Sequence, residues 1–196
     1  MLFEAVSRRH IRILKRFLSL PTIDVNAKER KSRETAVFHA AKQGLIDSME
    51  CLLTHPNINV NVRCTSGLQT PLIVALDRGH LDCAVRLLNL EGVDVMLTDA
   101  EGRTALMYAA VRGSVGLVKE LVRKGAHVKK ADRDGGTALV YAVEEGFVEV
   151  VKELIRGGGE VKDLAQLLSD RVVLSGKARE CRDRTMRWYY TELFKE

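Results

Sequence analysis

The apolar positions of this chain follow a segment that recurs about every 34 residues. Its four clearest copies cover residues 35–44, 70–79, 104–113 and 137–146, and each begins with Thr and ends with Gly. The steps between the threonines are 35, 34 and 33 residues. Periods of this size are typical of stacked repeat arrays, in which no unit buries its apolar face alone. The pattern therefore predicts a solenoid, an architecture that presents a surface.

The fullest copy, residues 99–128, predicts two short helices. Its turn residues include Gly102, which can take a positive φ, and Thr104 follows at the position of a helix N-cap. Gly113 ends this first helix, and Ser114 is the predicted cap of a second. The second helix has an apolar face made by Leu117, Val118, Leu121 and Val122.

The same plan divides residues 1–161 into five units, the first of which lacks its hairpin. Their approximate bounds are 2–27, 28–61, 62–96, 97–129 and 130–161. Three second helices are followed by alternating apolar and polar residues, which predict short extended arms. These arms are residues 23–26, 58–61 and 93–96.

Residues 162–196 do not follow the repeat and form a separate C-terminal segment. Asp163 is the predicted start of a short helix, and a second helix is expected from about residue 177 to 194. One interpretation is a degenerate sixth unit that caps the array, since terminal repeats are normally atypical. The other is a docking helix for a partner, because aromatic residues are favoured interface anchors. The candidate anchors are Trp188, Tyr189, Tyr190 and Phe194.

The recurring segment resembles the ankyrin repeat, whose signature is T-P-L-H-x-A. The resemblance covers roughly residues 2–161 and implies an all-α solenoid of helix-turn-helix units joined by β-hairpin loops, with a helical C-terminal cap. Only Thr70-Pro71 keeps the proline. Arg33 replaces a hairpin glycine, and the hairpin before Thr70 has an extra residue, so both hairpins are expected to deviate from the standard form. Apolar residues replace the signature histidine, namely Phe38, Ile73, Met107 and Val140.

The charge balance is mildly basic, with 31 Lys and Arg against 26 Asp and Glu. The excess is concentrated in the first twenty residues, where Glu4 is the one acidic residue. The basic residues there are Arg8, Arg9, Arg12, Lys15 and Arg16. This cluster is either a solvated helix face or a surface for an acidic or nucleic-acid partner.

No group of residues has the spacing of a catalytic or metal site. His39, Cys51, His55 and Cys64 are close in sequence, but they fall in different parts of the repeat and match no zinc pattern. The sequence therefore predicts a non-enzyme without metal or cofactor. Cysteines at irregular spacing fit a reducing compartment. Because the chain also lacks a signal peptide and a long apolar stretch, we expect a monomer located in the cytoplasm or in both cytoplasm and nucleus.

The resemblance implies that a protein partner meets a concave face formed by hairpin tips and the exposed ends of first helices. The hairpin candidates are Lys31, Ser32, Glu34, Ser66, Gln69, Glu101, Arg103, Arg133 and Asp134. The first-helix candidates are Lys42, Gln43, Asp77, Arg78, Val111, Arg112, Glu144 and Glu145. Tyr108 and Tyr141 occupy equivalent positions and either add an aromatic patch or are partly buried between helices.

The first-helix candidates change from basic to acidic along the chain, which favours a partner of complementary, bipolar charge. The predicted function is therefore a protein-protein interaction module. One alternative is a targeting or adaptor subunit whose C-terminal helix binds an enzyme complex. A weaker alternative is association with nucleic acid through the basic N-terminal helices.

Overall fold

A computed structural model describes residues 2–159 and 176–193 of the chain. The chain divides into two compact units, Met1–Glu101 and Gly102–Glu196. Within the described residues the backbone forms α-helices and no β-strand, which confirms the all-α class. The expected boundary between array and C-terminal segment, at residue 161, and the short helix expected at Asp163 lie outside the described residues.

Eleven α-helices occur in the described ranges, and the first ten form consecutive pairs with the expected period. They are α1 (Leu2–Ser7), α2 (Ile11–Leu18), α3 (Ala36–Gln43), α4 (Ile46–Leu53), α5 (Pro71–Arg78), α6 (Leu81–Leu88), α7 (Ala105–Val111), α8 (Val115–Arg123), α9 (Ala138–Glu144), α10 (Val148–Arg156) and α11 (Gly176–Leu193). In the N-terminal unit, the first helices α1, α3 and α5 pack in one row, and α2, α4 and α6 pack in another. In the C-terminal unit, α7 packs on α9, α8 packs on α10, and α11 packs against both α9 and α10.

Threonine caps begin the first helix of each hairpin-bearing repeat, as expected. The hydroxyl oxygen of Thr35 accepts the backbone N–H of Phe38 at 3.3 Å, and Thr70, Thr104 and Thr137 make the same bond at 3.2–3.4 Å. Each bond pairs an N–H group that has no partner within the helix. At the place of the family histidine, the Met107 thioether accepts the N–H of Thr104 at 3.4 Å.

The turn between the two helices of a repeat is made by glycine because a neighbouring ring approaches it closely. Gly44 and Gly113 have φ values of 65° and 67°. A Cβ on Gly44 would lie 2.6 Å from the His80 ring, and one on Gly113 would lie 2.7 Å from Phe147. Ser114 occupies the N-cap position of α8, but its side chain makes no capping hydrogen bond. The expected hydroxyl cap at Ser114 was therefore wrong, and the tight turn alone starts α8.

The hairpins of the second and third repeats carry a residue other than glycine at a left-handed position. Arg33 and Leu68, each two residues before a cap threonine, have φ values of 58° and 53°. Gly102 and Gly135 occupy the same position in the C-terminal unit. All four residues are therefore in the left-handed region, which costs about 1–2 kcal/mol for a residue with a side chain.

The three segments expected as extended arms are turns. In the first, the Ala27 N–H donates to the Asp24 carbonyl at 3.2 Å, and the Asn26 N–H donates to the Asp24 side chain at 3.0 Å. The Asn59 and Asp94 side chains accept equivalent bonds at 2.9 and 2.8 Å. The correction has a physical cause, since Asp and Asn favour turns closed by their own side chains. The alternation reflects one buried valine in each turn, namely Val25, Val60 and Val95.

Asparagine side chains join successive turns of the N-terminal unit. Asn26 donates from Nδ2 to the Asn57 carbonyl at 2.7 Å, and its Oδ1 accepts the Asn59 N–H at 2.8 Å. Asn61 repeats this arrangement with the Gly92 carbonyl at 2.8 Å and the Asp94 N–H at 2.9 Å. The amide groups thus hold three consecutive turns in register through backbone groups.

Candidate functional site

The cysteines and histidines of the described residues form no metal-binding cluster. No group of three or more His, Cys, Asp or Glu side chains within residues 2–159 and 176–193 is arranged to hold a metal ion. The four cysteines are free thiols. Burial raises the pKa of the Cys83 thiol to about 11 and, more weakly, that of Cys181. Both groups are therefore thiols at neutral pH, and a thiol is a poor nucleophile.

Most residues of the expected partner surface are accessible to solvent. The exposed members are Lys31, Ser32, Gln43, Ser66, Arg78, Glu101, Arg112, Arg133, Asp134, Glu144 and Glu145. The half-buried members are Lys42, Gln69, Asp77, Arg103, Val111 and Tyr141. Glu34 and Tyr108 are buried, with 8% and 7% of their surfaces exposed. These two side chains therefore lie beneath the exposed residues and are not themselves accessible to a partner.

In the N-terminal unit, hydrogen bonds join each hairpin base to the end of the following first helix. The Glu34 carboxylate accepts from Lys42 Nζ at 2.8 Å and lies 3.4 Å from Nδ1 of His39. At the equivalent positions of the next repeat, Gln69 Nε2 donates to the Asp77 carboxylate at 3.3 Å. Both pairs connect a residue before the cap threonine to one eight positions later. They fix the hairpins relative to the helices beneath them.

The C-terminal unit connects its hairpins to its helices through aromatic rings. The Arg103 guanidinium lies over the Tyr108 ring, 5.1 Å from its centroid. The Tyr141 hydroxyl donates to Asp132 Oδ2 at 2.5 Å. Burial, reinforced by the bond to the Asp132 carboxylate, raises the pKa of Tyr141 to about 12. The structure therefore places both tyrosines in contacts between hairpin and helix.

Leu68 and Arg33 are exposed hairpin residues that the sequence analysis did not include in the partner surface. The Leu68 side chain is 41% exposed. Its carbonyl accepts from Arg63 Nε at 3.0 Å, and the carbonyl of neighbouring Gly67 accepts the Ala100 N–H at 2.8 Å. The hairpin tip is thus held in place while its apolar side chain faces solvent. The sequence did contain a signal for both residues, because each one replaces glycine at a hairpin position where the backbone is left-handed.

The described aromatic residues of α11 differ in their surroundings. The half-buried Trp188 ring lies close to two cations of α10, with its centroid 5.6 Å from Lys152 Nζ and 5.2 Å from Arg156 Cζ. Tyr190 is 52% exposed. The Tyr189 side chain and Phe194 lie outside the described residues. Trp188 therefore takes part in the packing of α11 on the repeats, while Tyr190 is accessible.

The acidic end of the expected charge row lies beside α11. Glu145 lines a cavity of about 240 Å³ together with Lys177 and Arg184. At the other end of the row, Lys42 is engaged by Glu34 in an ion pair. Near this end of the row, Arg78 and the hairpin residues Lys31 and Arg33 are exposed. Arg78 lies 3.9 Å from the Asp77 carboxylate.

No helix within residues 2–159 and 176–193 has the length and apolar character needed to cross a membrane. Comparison with curated proteins gave no match. Among solved structures, an ankyrin repeat domain from Acinetobacter baumannii AYE is similar, with 27% identity, a TM-score of 0.73 and 81% of each chain covered. The ankyrin repeat domain of Bcl-3, a member of the IkappaB protein family, matches with 25% identity and a TM-score of 0.69, covering 81% of this chain and 70% of the other.

A family model described as three copies of the ankyrin repeat matches residues 2–99 and 84–164. These matches cover the periodic segments, the capped first helices and the glycine turns described above. The chain belongs to the ankyrin repeat family.

Proposed function

We propose that this protein is a non-catalytic interaction module that binds a protein partner through its hairpin tips and the exposed ends of its first helices. Ankyrin repeats are generally protein-protein interaction modules. The observation that supports this particular surface is the combination of exposed polar side chains with a rigid base. Lys31 and Ser32 are exposed above the Glu34–Lys42 pair, and Arg78 follows the Gln69–Asp77 pair.

Rigidity beneath the exposed residues lowers the entropic cost of binding. A surface whose backbone is already ordered loses less conformational freedom when a partner arrives. In the C-terminal unit, Asp132 accepts the N–H groups of Asp134 and Gly136 at 3.0 and 2.7 Å while it also holds Tyr141. Arg133 and Asp134 are therefore presented on an ordered turn. Each unit supplies its own preorganised part of the surface.

The two units favour partner groups of different charge. The exposed residues Lys31, Arg33 and Arg78 favour acidic groups opposite the N-terminal unit. In the C-terminal unit, Glu144 and Glu145 favour basic groups, whereas the exposed Arg112 and Arg133 favour acidic ones. Charges at the rim of an interface affect orientation and association rate more than affinity. We therefore expect charge reversal to slow association and to change its dependence on salt.

Leu68 is the proposed apolar anchor of the N-terminal part of this surface. It is exposed at the tip of a hairpin whose carbonyls are held by Arg63 and Ala100. Partly apolar contact areas surrounded by polar groups are typical of protein interfaces. Its left-handed conformation supports the assignment, because strained backbone is often found at functional positions.

The experiment that tests the proposal is a pull-down from native cell extract with a charge-reversed variant. The variant carries Arg78→Glu, Arg112→Glu and Glu145→Arg. We expect wild-type protein to retain a partner that the variant loses. A matched control makes the same changes in charge on second helices. Its substitutions are Arg86→Glu, Arg123→Glu and Glu149→Arg, and we expect it to retain the partner. Circular dichroism checks the folding of both variants.

Loss of the partner from both variants would indicate an effect of overall charge, and retention by both would exclude this surface as the binding site. Retention by both would also favour the adaptor alternative, in which α11 binds an enzyme complex. The observation that favours this alternative is the exposed Tyr190. A Tyr190→Ala variant that loses the partner would support it. Because the cysteines are free thiols, which fit a reducing compartment, we place this function in the cytoplasm.

A further inference from the structure

An open apolar groove lies on the first two helices, away from the hairpin surface. It has a volume of about 420 Å³. Its lining residues are Glu4, Ala5, Arg8, His10, Ile13 and Phe17. Ile13, in the middle of α2, is 49% exposed. The groove therefore leaves apolar surface in water at one end of the N-terminal unit.

The residues equivalent to Ile13 in later repeats are fully covered. Ser48 and Cys83 occupy this position in α4 and α6, and each is 1% exposed. Val150 occupies it in α10 and has no exposed surface. The Ser48 hydroxyl approaches the Val6 carbonyl of the preceding repeat at 3.5 Å. This stripe of the second helix is thus the side that packs against the repeat before it.

His10 belongs to the same side of the repeat. Its equivalent His80 packs against the turn at Gly44 of the preceding repeat, and Phe147 packs in the same way against Gly113. The groove is therefore the stacking face of the first repeat. In later repeats this face is filled by helices, so a helical segment has the shape that it accepts.

The groove has a strongly basic rim. The exposed residues Arg8, Arg12 and Arg16 lie next to the apolar stripe formed by Ile13 and Phe17. Arg8 is paired with Glu4 at 2.7 Å, so the net positive charge beside the groove comes from Arg12 and Arg16. A second copy of the chain would bring two basic rims together, which is unfavourable. A basic rim around an apolar centre instead complements an acidic amphipathic helix, which resembles the way peptide helices occupy hydrophobic grooves.

We propose that the exposed face of α1 and α2 is a second protein-binding site, which takes an amphipathic helix with acidic residues on both sides of its apolar face. The apolar residues of that helix cover Ile13 and Phe17, and its carboxylates meet the arginines of the rim. The partner helix extends the row of stacked helices by one member. This site is separate from the surface of hairpin tips and first-helix ends.

The test uses a fluorescently labelled synthetic peptide of about 14 residues, which spans some four helical turns. Leucines form one face of the peptide and glutamates occupy the other positions. A control peptide has the same composition with the leucines distributed around the helix. Fluorescence anisotropy measures binding to the full chain at low and at physiological salt. We expect the amphipathic peptide to bind, with lower affinity at higher salt, and to shift amide resonances of α1 and α2.

Two variants, each of which replaces an exposed apolar residue with aspartate, locate the binding site. Ile13→Asp removes the apolar centre of the groove, and we expect the affinity to fall about tenfold or more. Val85→Asp makes the same kind of change at a residue of α6 that is 43% exposed, and we expect the affinity to stay within about twofold. Because both residues are largely exposed, neither change should unfold the protein. Thermal melting checks this point.

Several outcomes would overturn the proposal. They are the absence of peptide binding, equal binding of the control peptide, an equal effect of Val85→Asp, or tighter binding of a single-stranded oligonucleotide that competes with the peptide. Sedimentation of the free protein as a dimer that dissociates on Ile13→Asp would also overturn it, because a second copy would then cover the groove.

Discussion

The hairpins of the two units meet the same backbone requirement with different residues. The residue two positions before the cap threonine is Arg33 or Leu68 in the N-terminal unit, with φ values of 58° and 53°. In the C-terminal unit it is Gly102 or Gly135, with φ values of 82° and 79°. Glycine adopts this conformation without steric cost, and other residues do not. The N-terminal unit thus keeps side chains at its hairpin tips despite a conformational cost, which is consistent with a role in binding.

The turns after the second helices differ between the units as well. Asn26 and Asn61 connect successive turns of the N-terminal unit through bonds to backbone groups. The C-terminal unit contains no asparagine, and Gly125 follows α8 with a φ of 89°. One unit therefore fixes its turns with side-chain hydrogen bonds, whereas the other uses backbone that bends without steric cost.

The largest expected effect comes from removing the asparagine bridges. An Asn26→Ala, Asn61→Ala variant loses four hydrogen bonds to backbone groups, which should lower the free energy of unfolding by about 3 kcal/mol. Urea denaturation measures this loss. Hydrogen exchange should accelerate at the amides of Asn59 and Asp94, which lose their acceptors. The control is Asn89→Ala, at an exposed residue after α6. If Asn89→Ala lowered the free energy of unfolding as much as the double variant does, the asparagine bridges would not be the source of the stability of these turns.

A side chain placed on a C-terminal hairpin tests the cost of the left-handed position. A Cβ on Gly102 would meet its nearest neighbour, the Arg133 backbone nitrogen, at 3.5 Å, which is an ordinary contact. Gly102→Ala therefore adds backbone strain without a clash, and we expect it to lower the free energy of unfolding by about 1 kcal/mol. Urea denaturation again measures the change. Gly116→Ala, at an exposed position in α8 with open space around the added Cβ, is the control and should be neutral or stabilising. If Gly102→Ala were as stable as wild type, the left-handed position would carry no conformational cost, and the backbone of Arg33 and Leu68 would no longer indicate a role in binding.

Periodicity and caps could be predicted from the sequence because they depend on local residue types. The threonine caps and glycine turns recur at fixed spacing, and each forms within a few residues of the chain. The turns at Val25 and its equivalents could not be predicted in this way, since the alternating pattern also fits a strand. The burial of Glu34 could not be predicted from the sequence either, because it depends on contacts with Lys42, eight positions later, and with His39.

The reverse substitution should separate stability from binding at the N-terminal hairpins. Leu68→Gly relieves the left-handed strain but gives the unfolded chain more freedom, so we expect a net gain of about 0.5–1 kcal/mol. The same variant removes the proposed apolar anchor and should weaken retention of the partner. Arg33→Gly should show a similar stability and a smaller effect on retention, since a rim charge mainly affects association rate. If Leu68→Gly retained the partner as well as wild type does, the side chain would have no part in binding.

The smallest expected effect is a pH dependence confined to the C-terminal unit. The pKa of Tyr141 is about 12 in the folded protein, above its ordinary value of 10.0, because burial and the bond to Asp132 favour the protonated phenol. Unfolded chains lose this proton at lower pH than folded ones do. The contribution of Tyr141 to stability is therefore complete below about pH 10 and is lost as pH rises toward 12. In Tyr141→Phe this decline should be shallower.

Ultraviolet difference absorbance identifies the phenol that accounts for this decline. Wild type should show a tyrosine ionisation near pH 12 that the Tyr141→Phe variant lacks. Tyr190→Phe is the matched control, because it removes the hydroxyl of a tyrosine that is 52% exposed. If the late ionisation persisted in Tyr141→Phe, another phenol would be responsible, and the evidence for a strong bond between Tyr141 and Asp132 would be lost. The C-terminal hairpins would then depend on their glycines alone, and the contrast with the ion-paired base at Glu34 and Lys42 would become sharper.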